Sequence, residues 1–139
     1  MRRAALGVTI LLSLTACGGG SGRSAADVVR DWSAALDAYD NERAASLFAP
    51  NIAIVQGDQL RRLRTHRQAL AWNAQLPCAG KIASLKQNGS AVEVTFRLVS
   101  ARHRQCQDPG GAEAIAILVV EHGKIILWDQ IGSQIRLAH

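Results

Sequence analysis

No apolar run in this chain of 139 residues reaches the ~20 residues that a membrane-spanning helix needs. The four histidines (His66, His103, His122, His139) fall at no ligand spacing, so a metal site has no support and no cofactor is expected. A Gly-x-Ser-x-Gly elbow is missing, which removes the usual anchor for serine-nucleophile chemistry. Gly18 to Arg23 (GGGSGR) is glycine-rich but lacks the Gly-Lys-Ser/Thr ending of a phosphate-binding loop. Acidic residues are fewer than basic ones, 11 against 16, for a net charge of +5. Arg2 and Arg3 account for two of those charges, and the remaining excess is too mild to argue for nucleic acid.

What is present at the N-terminus is an export pattern. Arg2 and Arg3 precede a short apolar run, Leu6 to Leu14, which ends in small residues. Leu14-Thr15-Ala16-Cys17, followed by three glycines, resembles a bacterial lipoprotein lipobox. That resemblance implies cleavage after residue 16, a diacylglycerol thioether on Cys17, and attachment at the outer face of the bacterial cytoplasmic membrane. Residues 17–23 then form the lipidated cysteine and a flexible tether, and 24–139 form one domain. An exported domain has little occasion to meet nucleic acid.

With Cys17 carrying lipid, Cys78 and Cys106 remain in an oxidising compartment. A disulfide between them would contribute about 3.5 kcal/mol by loop closure. The alternative, a catalytic thiol, requires one of them to stay reduced outside the cell.

The centre of the domain is Ala112 to Gly132, two apolar strands joined at His122-Gly123. Residues 114–120 are apolar without alternation, which predicts a strand covered on both faces. Asp129 shares parity with Ile125, Leu127 and Ile131, so a carboxylate points at the core if that face is the inner one.

Upstream, Ser24 caps a helix over 25–39, with Val28, Trp32, Ala35, Leu36 and Tyr39 at helical spacing. Asp40 caps a second helix, 41–49, which Pro50 stops. Residues 51–56 read as a strand turned at Gly57-Asp58. Gln59 to Arg67 is a dense basic cluster, fit for an acidic partner, a phosphate or a lipid headgroup, or simply a solvated strand and helix start. Thr65 with Gln68 makes a capping box for a third helix over 66–76, with Ala69, Trp72 and Leu76 on its buried side. Strands over 81–87 and 91–101 flank Asn88-Gly89-Ser90, and 102–111 is a loop. The order is helix, helix, strand, helix, then four antiparallel strands. This is an α+β domain with helices on one face of a curved sheet.

ALDAYDNERAASLFAPNIAIVQ is similar to the first two helices and strand of the nuclear transport factor 2-like superfamily. NGSAVEVTFRL followed by AIAILVVEHGKIILWDQI is similar to its central strands. The superfamily holds SnoaL-like polyketide cyclases, ketosteroid isomerases, limonene epoxide hydrolases and non-catalytic binding domains. The resemblance implies a cone-shaped roll, three N-terminal helices packed on a curved, mostly antiparallel sheet around a pocket. It does not imply a reaction. Epoxide hydrolase members keep an Arg-x-Asp on a middle strand, whereas Arg97 is followed here by Leu98 and Val99. They also place an aspartate a few residues past the last tryptophan, where this chain reads Ile131-Gly132-Ser133.

Asp129 is the best general-base candidate, with Tyr39 as a donor to a developing oxyanion. Trp32, Tyr39, Trp72, Phe96 and Asp129 are the candidate pocket residues. Two readings follow. One is a lipid-anchored, non-catalytic domain for a small apolar ligand or an envelope protein. The other is a SnoaL-like isomerase, cyclase or hydrolase. A homodimer through the sheet is compatible with either.

Overall fold

A computed structural model describes residues 22–106 and 111–135. The lipobox and nearly all of the tether lie outside the described residues.

Three helices start where local chemistry caps them. Ser24 Oγ accepts from the backbone N–H of Asp27 at 3.1 Å and opens α1, Ala25–Asp37. Asp40 Oδ1 accepts from Arg43 N–H at 3.0 Å and opens α2, Asn41–Ser46. The reciprocal Thr65–Gln68 box opens α3, His66–Gln75. Each cap satisfies amide groups that the first helical turn leaves unpaired.

Two helices are shorter than their periodicity predicts. In α1, Ala38 is the C-cap and Tyr39 takes a left-handed φ of +57°, so Tyr39 leaves the buried stripe. In α2, Leu47 is the C-cap and Phe48 already begins β1, Phe48–Gln56. Tertiary pairing decides this: Ile125 N–H donates to Leu47 O at 2.8 Å, and Phe48 registers with Ile125.

Gln59–Leu63 form a strand of their own, β2, paired antiparallel with β1. Two strands therefore precede α3, where the sequence order predicts one. After α3 come β3 (Ala79–Asn88), β4 (Ala91–Val99), β5 (Ala112–Glu121) and β6 (Lys124–Ile135). The sheet order is β2-β1-β6-β5-β4-β3. Only the β1–β6 pairing is parallel.

The helices cover one face of this sheet. Val28, Val29, Trp32 and Leu36 of α1 and Trp72 of α3 pack on Ile52, Ile54, Val92, Val94, Leu118, Ile125 and Trp128. Aromatic rings link the layers: Trp32 lies 6.1 Å from Phe48 and 6.0 Å from Phe96, and Trp72 lies 5.2 Å from Trp128. Each such pair adds about 1 kcal/mol to the burial of its rings.

The opposite face departs from expectation. Ile115, Ile117 and Val119 alternate with buried Ala116 and Leu118, yet they stay half-exposed. The helices have gone to the other side, so β5 is apolar on both faces and is covered on one by the described residues.

Asp129 also lands on this open face. The β5–β6 register shifts between Val119 and Val120, which pair with Leu127 and Ile125. That irregularity resets the two-residue period, so Ile125 and Trp128 both face inward. Asp129 then sits opposite Ile117 and Val55 on the outside, contrary to a parity count from Ile125.

The Cys78–Cys106 disulfide closes the domain over a separation of 28 residues, with Cα atoms 4.8 Å apart. Beside it, Arg104 is 2% exposed. Its guanidinium donates to Leu76 O at 2.6 Å, Asn41 Oδ1 at 2.6 Å and Asn73 O at 2.9 Å. Burial lowers its pKa from the ordinary arginine value, partly offset by Tyr39. One arginine thus ties the disulfide loop to α2 and the end of α3.

Candidate functional site

Small residues leave space under α1. Ala114 on the inner face of β5 and Gly80 on β3 contribute almost no side chain where their neighbours carry bulk. A Cβ at Gly80 would meet Phe96 atoms at 3.0 Å, so the glycine is what lets that ring sit where it does. The result is a cavity of about 180 Å³.

Its walls come from five directions. Trp32, Ser33 and Leu36 descend from α1, and Leu76, Pro77 and Cys78 follow α3. Phe96 and Leu98 rise from β4, Trp128 and Gln130 from β6, and Gln56 from the end of β1. Gln56 and Pro77 are exposed and mark where the cavity reaches the surface.

The polar content is small and neutral. Ser33 Oγ is committed, donating to Gly80 O at 2.8 Å. Gln56 and Gln130 are register partners, and Gln56 Nε2 donates to Gln130 Oε1 at a long 3.4 Å. Trp128 Nε1 is buried and has no hydrogen-bond partner. Among the described residues no aspartate, glutamate, histidine, lysine, arginine or tyrosine lines the cavity, and the one cysteine that does is in the disulfide. Among the described residues no cluster of three His, Cys, Asp or Glu could hold a metal.

The residues singled out from sequence are scattered. Trp32 and Phe96 line the cavity. Trp72 is buried behind Trp128 and forms the floor of a separate groove with Arg61, Arg62, Gln68 and Gln75. Tyr39 lies on the surface at 36% exposure, its ring 4.9 Å from that of His103 and 5.1 Å from the Arg104 guanidinium. Asp129 is on the outer sheet face. Neither Tyr39 nor Asp129 lines the cavity, so the shared pocket that acid-base chemistry would need is not formed by these two. The turn and the register irregularity that move them have no signature in residue spacing.

Gln56 and Gln130 were missed. The signal for one was present: Ile52, Ile54 and Gln56 share a parity in NIAIVQ, which continues the buried face into a polar side chain. The basic cluster stays outside the cavity on β2 and α3. There Arg62 donates to Asn51 O at 3.2 Å, and His66 pairs with Glu42 at 2.8 Å.

No protein-family model matches the sequence, and no curated protein is detectably similar to it. Solved structures do match. An NTF2-like protein of unknown function from Cytophaga hutchinsonii superposes with a TM-score of 0.63 at 12% identity, covering 77% of this chain and 88% of that one. A protein with a ketosteroid isomerase-like fold from Catenulispora acidiphila, solved with trimethylamine, gives 0.62 at 15% identity, covering 76% and 85%. An LEH-like epoxide hydrolase from M. tuberculosis gives 0.55 at 19% identity, covering 76% of each. At these identities the likeness establishes a fold, the nuclear transport factor 2-like fold, and leaves the reaction open.

Proposed function

We propose that the protein is an exported domain, held at the outer face of the bacterial cytoplasmic membrane by lipid on Cys17, that binds a small apolar ligand without transforming it. One observation carries the ligand half of this reading: among the described residues no titratable side chain lines the cavity. General acid-base catalysis needs such a group within hydrogen-bond reach of the reacting atom, and the cavity supplies only carboxamides, a committed hydroxyl and an indole. Its apolar walls with a few convergent polar groups fit a binding site. The ketosteroid isomerase-like structure holding trimethylamine is a precedent for a small molecule in this fold.

The competing reading, a SnoaL-like isomerase, cyclase or hydrolase with Asp129 as base and Tyr39 as donor, requires both groups at one cavity. Their placement favours binding.

The test is native mass spectrometry of the mature protein before and after organic extraction. A small molecule lost on extraction and unchanged after prolonged incubation supports the proposal. A bound molecule that turns over sinks the non-catalytic half, and a clean apo mass turns the search to protein partners. Membrane fractionation of Cys17→Ser checks the anchor, with release into the soluble fraction as the expected outcome.

The open sheet face favours one protein partner, a second copy of this chain. Ile115, Ile117, Val119 and Leu127 present an apolar stripe, flanked by Glu93, Arg97, Glu113 and Asp129. Charges of both signs on one face suit a two-fold pairing of like with like. Sedimentation velocity should show a dimer that Ile117→Lys converts to monomer.

A further inference from the structure

We infer that the end of the sheet beside the tether is a docking surface for anionic lipid headgroups, which stands the domain on the bilayer with its cavity mouth turned away. This rests on the reading of Cys17 as the lipid anchor and adds the orientation of the anchored domain.

Strand directions define that end. The β3–β4 and β5–β6 hairpins turn there, and Val120 N–H donates to Ser90 O at 2.9 Å. β1 starts there, with Phe48 in register with Ile125, and β2 stops there, with Leu63 in register with Ile52. The first turn of α1 is fixed to the same end, because Ala26 N–H donates to Gln87 Oε1 at 3.0 Å. The chain from Cys17 to Ala25 spans at most about 28 Å, so lipid on Cys17 keeps this end within that reach of the membrane. Reach alone does not orient the domain.

Charge does. Among the described residues the acidic groups at this end are each matched: Asp31 by Arg23 and Arg43, Asp27 by Arg30, and Glu42 by His66. Glu121 and Glu93 lie opposite Lys124 and Lys86 in register. Arg62, Arg64 and Arg67 are exposed and have no carboxylate partner among the described residues. They run from the end of β2 into the first turn of α3, which holds no acidic residue to offset the positive end of the helix. Repulsion within this cluster is relieved by an anionic surface, at about a fivefold gain in binding for each cation.

The cluster and the tether act at different places. β2 and β3 are opposite edges of the sheet, so Arg62 and Gln87 lie about 24 Å apart across it. A tether near one edge leaves the domain free to swivel, and attraction at the other edge removes that freedom. At the far end Lys81 is held by Asp37 at 2.9 Å, Arg97 registers with Glu113, and Asp58 sits in the β1–β2 turn. The cavity lies towards this far end, with Leu98 about 23 Å along β4 from Ala91. Headgroup charge is screened within about 8 Å at physiological salt, so the mouth opens to water.

The test mixes the mature chain carrying Cys17→Ser, which has no lipid of its own, with phosphatidylcholine vesicles with and without phosphatidylglycerol. Cosedimentation should require phosphatidylglycerol and should fall as salt rises. Arg64→Gln with Arg67→Gln should weaken it about 25-fold, at about fivefold for each charge. Arg64→Lys with Arg67→Lys should retain it, and Arg102→Gln at the far end should leave it unchanged. Arg62→Gln serves as a second variant, with an expected loss of about fivefold. For orientation, the lipidated protein carries a fluorophore at Ser46→Cys, beside Lys124, or at Arg102→Cys. A headgroup quencher in phosphatidylglycerol vesicles should quench the first and spare the second.

Equal cosedimentation with both vesicles, or no loss in the double glutamine variant, overturns the docking surface. Release by inorganic phosphate at constant ionic strength makes the cluster a small-anion site and overturns membrane docking. Stronger quenching at Arg102→Cys than at Ser46→Cys overturns the orientation. The two readings fail separately: the vesicle assay needs no lipid on Cys17, and membrane fractionation of Cys17→Ser reads the anchor alone.

Discussion

Two tryptophans bury an indole N–H, and among the described residues one of them finds a partner. Trp32 donates to Asn73, whose Nδ2 donates to Ala69 O at 2.8 Å and whose carbonyl receives Arg104. Arg104 in turn binds Leu76 and Asn41 and sits in the loop closed by Cys78–Cys106. Trp128 has no such chain of contacts. Its ring packs on Trp72, while its N–H is buried with no hydrogen-bond partner among the described residues. Where a buried polar group is tied to several elements, its role is to hold them together. Where it is left unpaired, it ties no elements together and its desolvation is a cost the fold carries.

That contrast can be broken at several points. The largest effect is expected from Cys78→Ser combined with Cys106→Ser, which releases the closed region's covalent tie and should lower unfolding free energy by about 3.5 kcal/mol. Urea denaturation measures this, and an unchanged midpoint would show that the Arg104 contacts hold the loop unaided. Asn73→Leu comes next. It strips the acceptor from Trp32 and the donor from Ala69 O in a fully buried site, for a loss of about 2–3 kcal/mol.

Trp128→Phe should cost less, about 1 kcal/mol, because some ring area is lost while an unpaired donor is removed with it. If it destabilises as much as Asn73→Leu, Trp128 belongs to the framework and the contrast collapses.

The smallest effect lies outside both regions, at the start of α1. Hydrogen bonding from Ser24, helped by Arg30 and Arg23, lowers the pKa of Asp27 from its ordinary 3.8. A carboxyl with a depressed folded-state pKa contributes stability that is complete above its unfolded pKa and lost as pH falls through the folded one. Asp27→Asn should therefore be slightly less stable than the parent near neutrality. The two should converge in strong acid, as acid titrations followed by circular dichroism can show.

Much of the fold was legible because it follows from local rules. Gly89-Ser90 and His122-Gly123 are hairpin turns, and His122 and Gly123 take φ of +51° and +73°, as a two-residue primed turn requires. Thr65 and Gln68 form the box their spacing announces. The two cysteines are bonded. By contrast, QLRRL has four exposed residues and no apolar period, so β2 becomes a strand only by pairing with β1.

The site was harder to read, for two physical reasons. A single register irregularity sends every later side chain to the other face, which is what happens between Ile125 and Trp128. A cavity, moreover, is made by what residues lack, and Gly80 and Ala114 leave no mark in a search for reactive side chains. Such a search goes to Asp129 and Tyr39, whereas the polar side chains lining the cavity are two glutamines and a serine.

The sheet has two free edges, and both are cationic. Arg61 and Arg62 lie on β2, while Lys81 and Lys86 lie on β3, where Lys81 also reaches Asp37. Joining copies edge to edge would set these cations against one another along an unpaired backbone ladder. The open apolar face carries charges of both signs instead of cations alone. Were copies to pair through that face as proposed, the cationic edges would steer them away from ribbon-like polymerisation and towards a stack of two, a shape that stops growing once its faces meet.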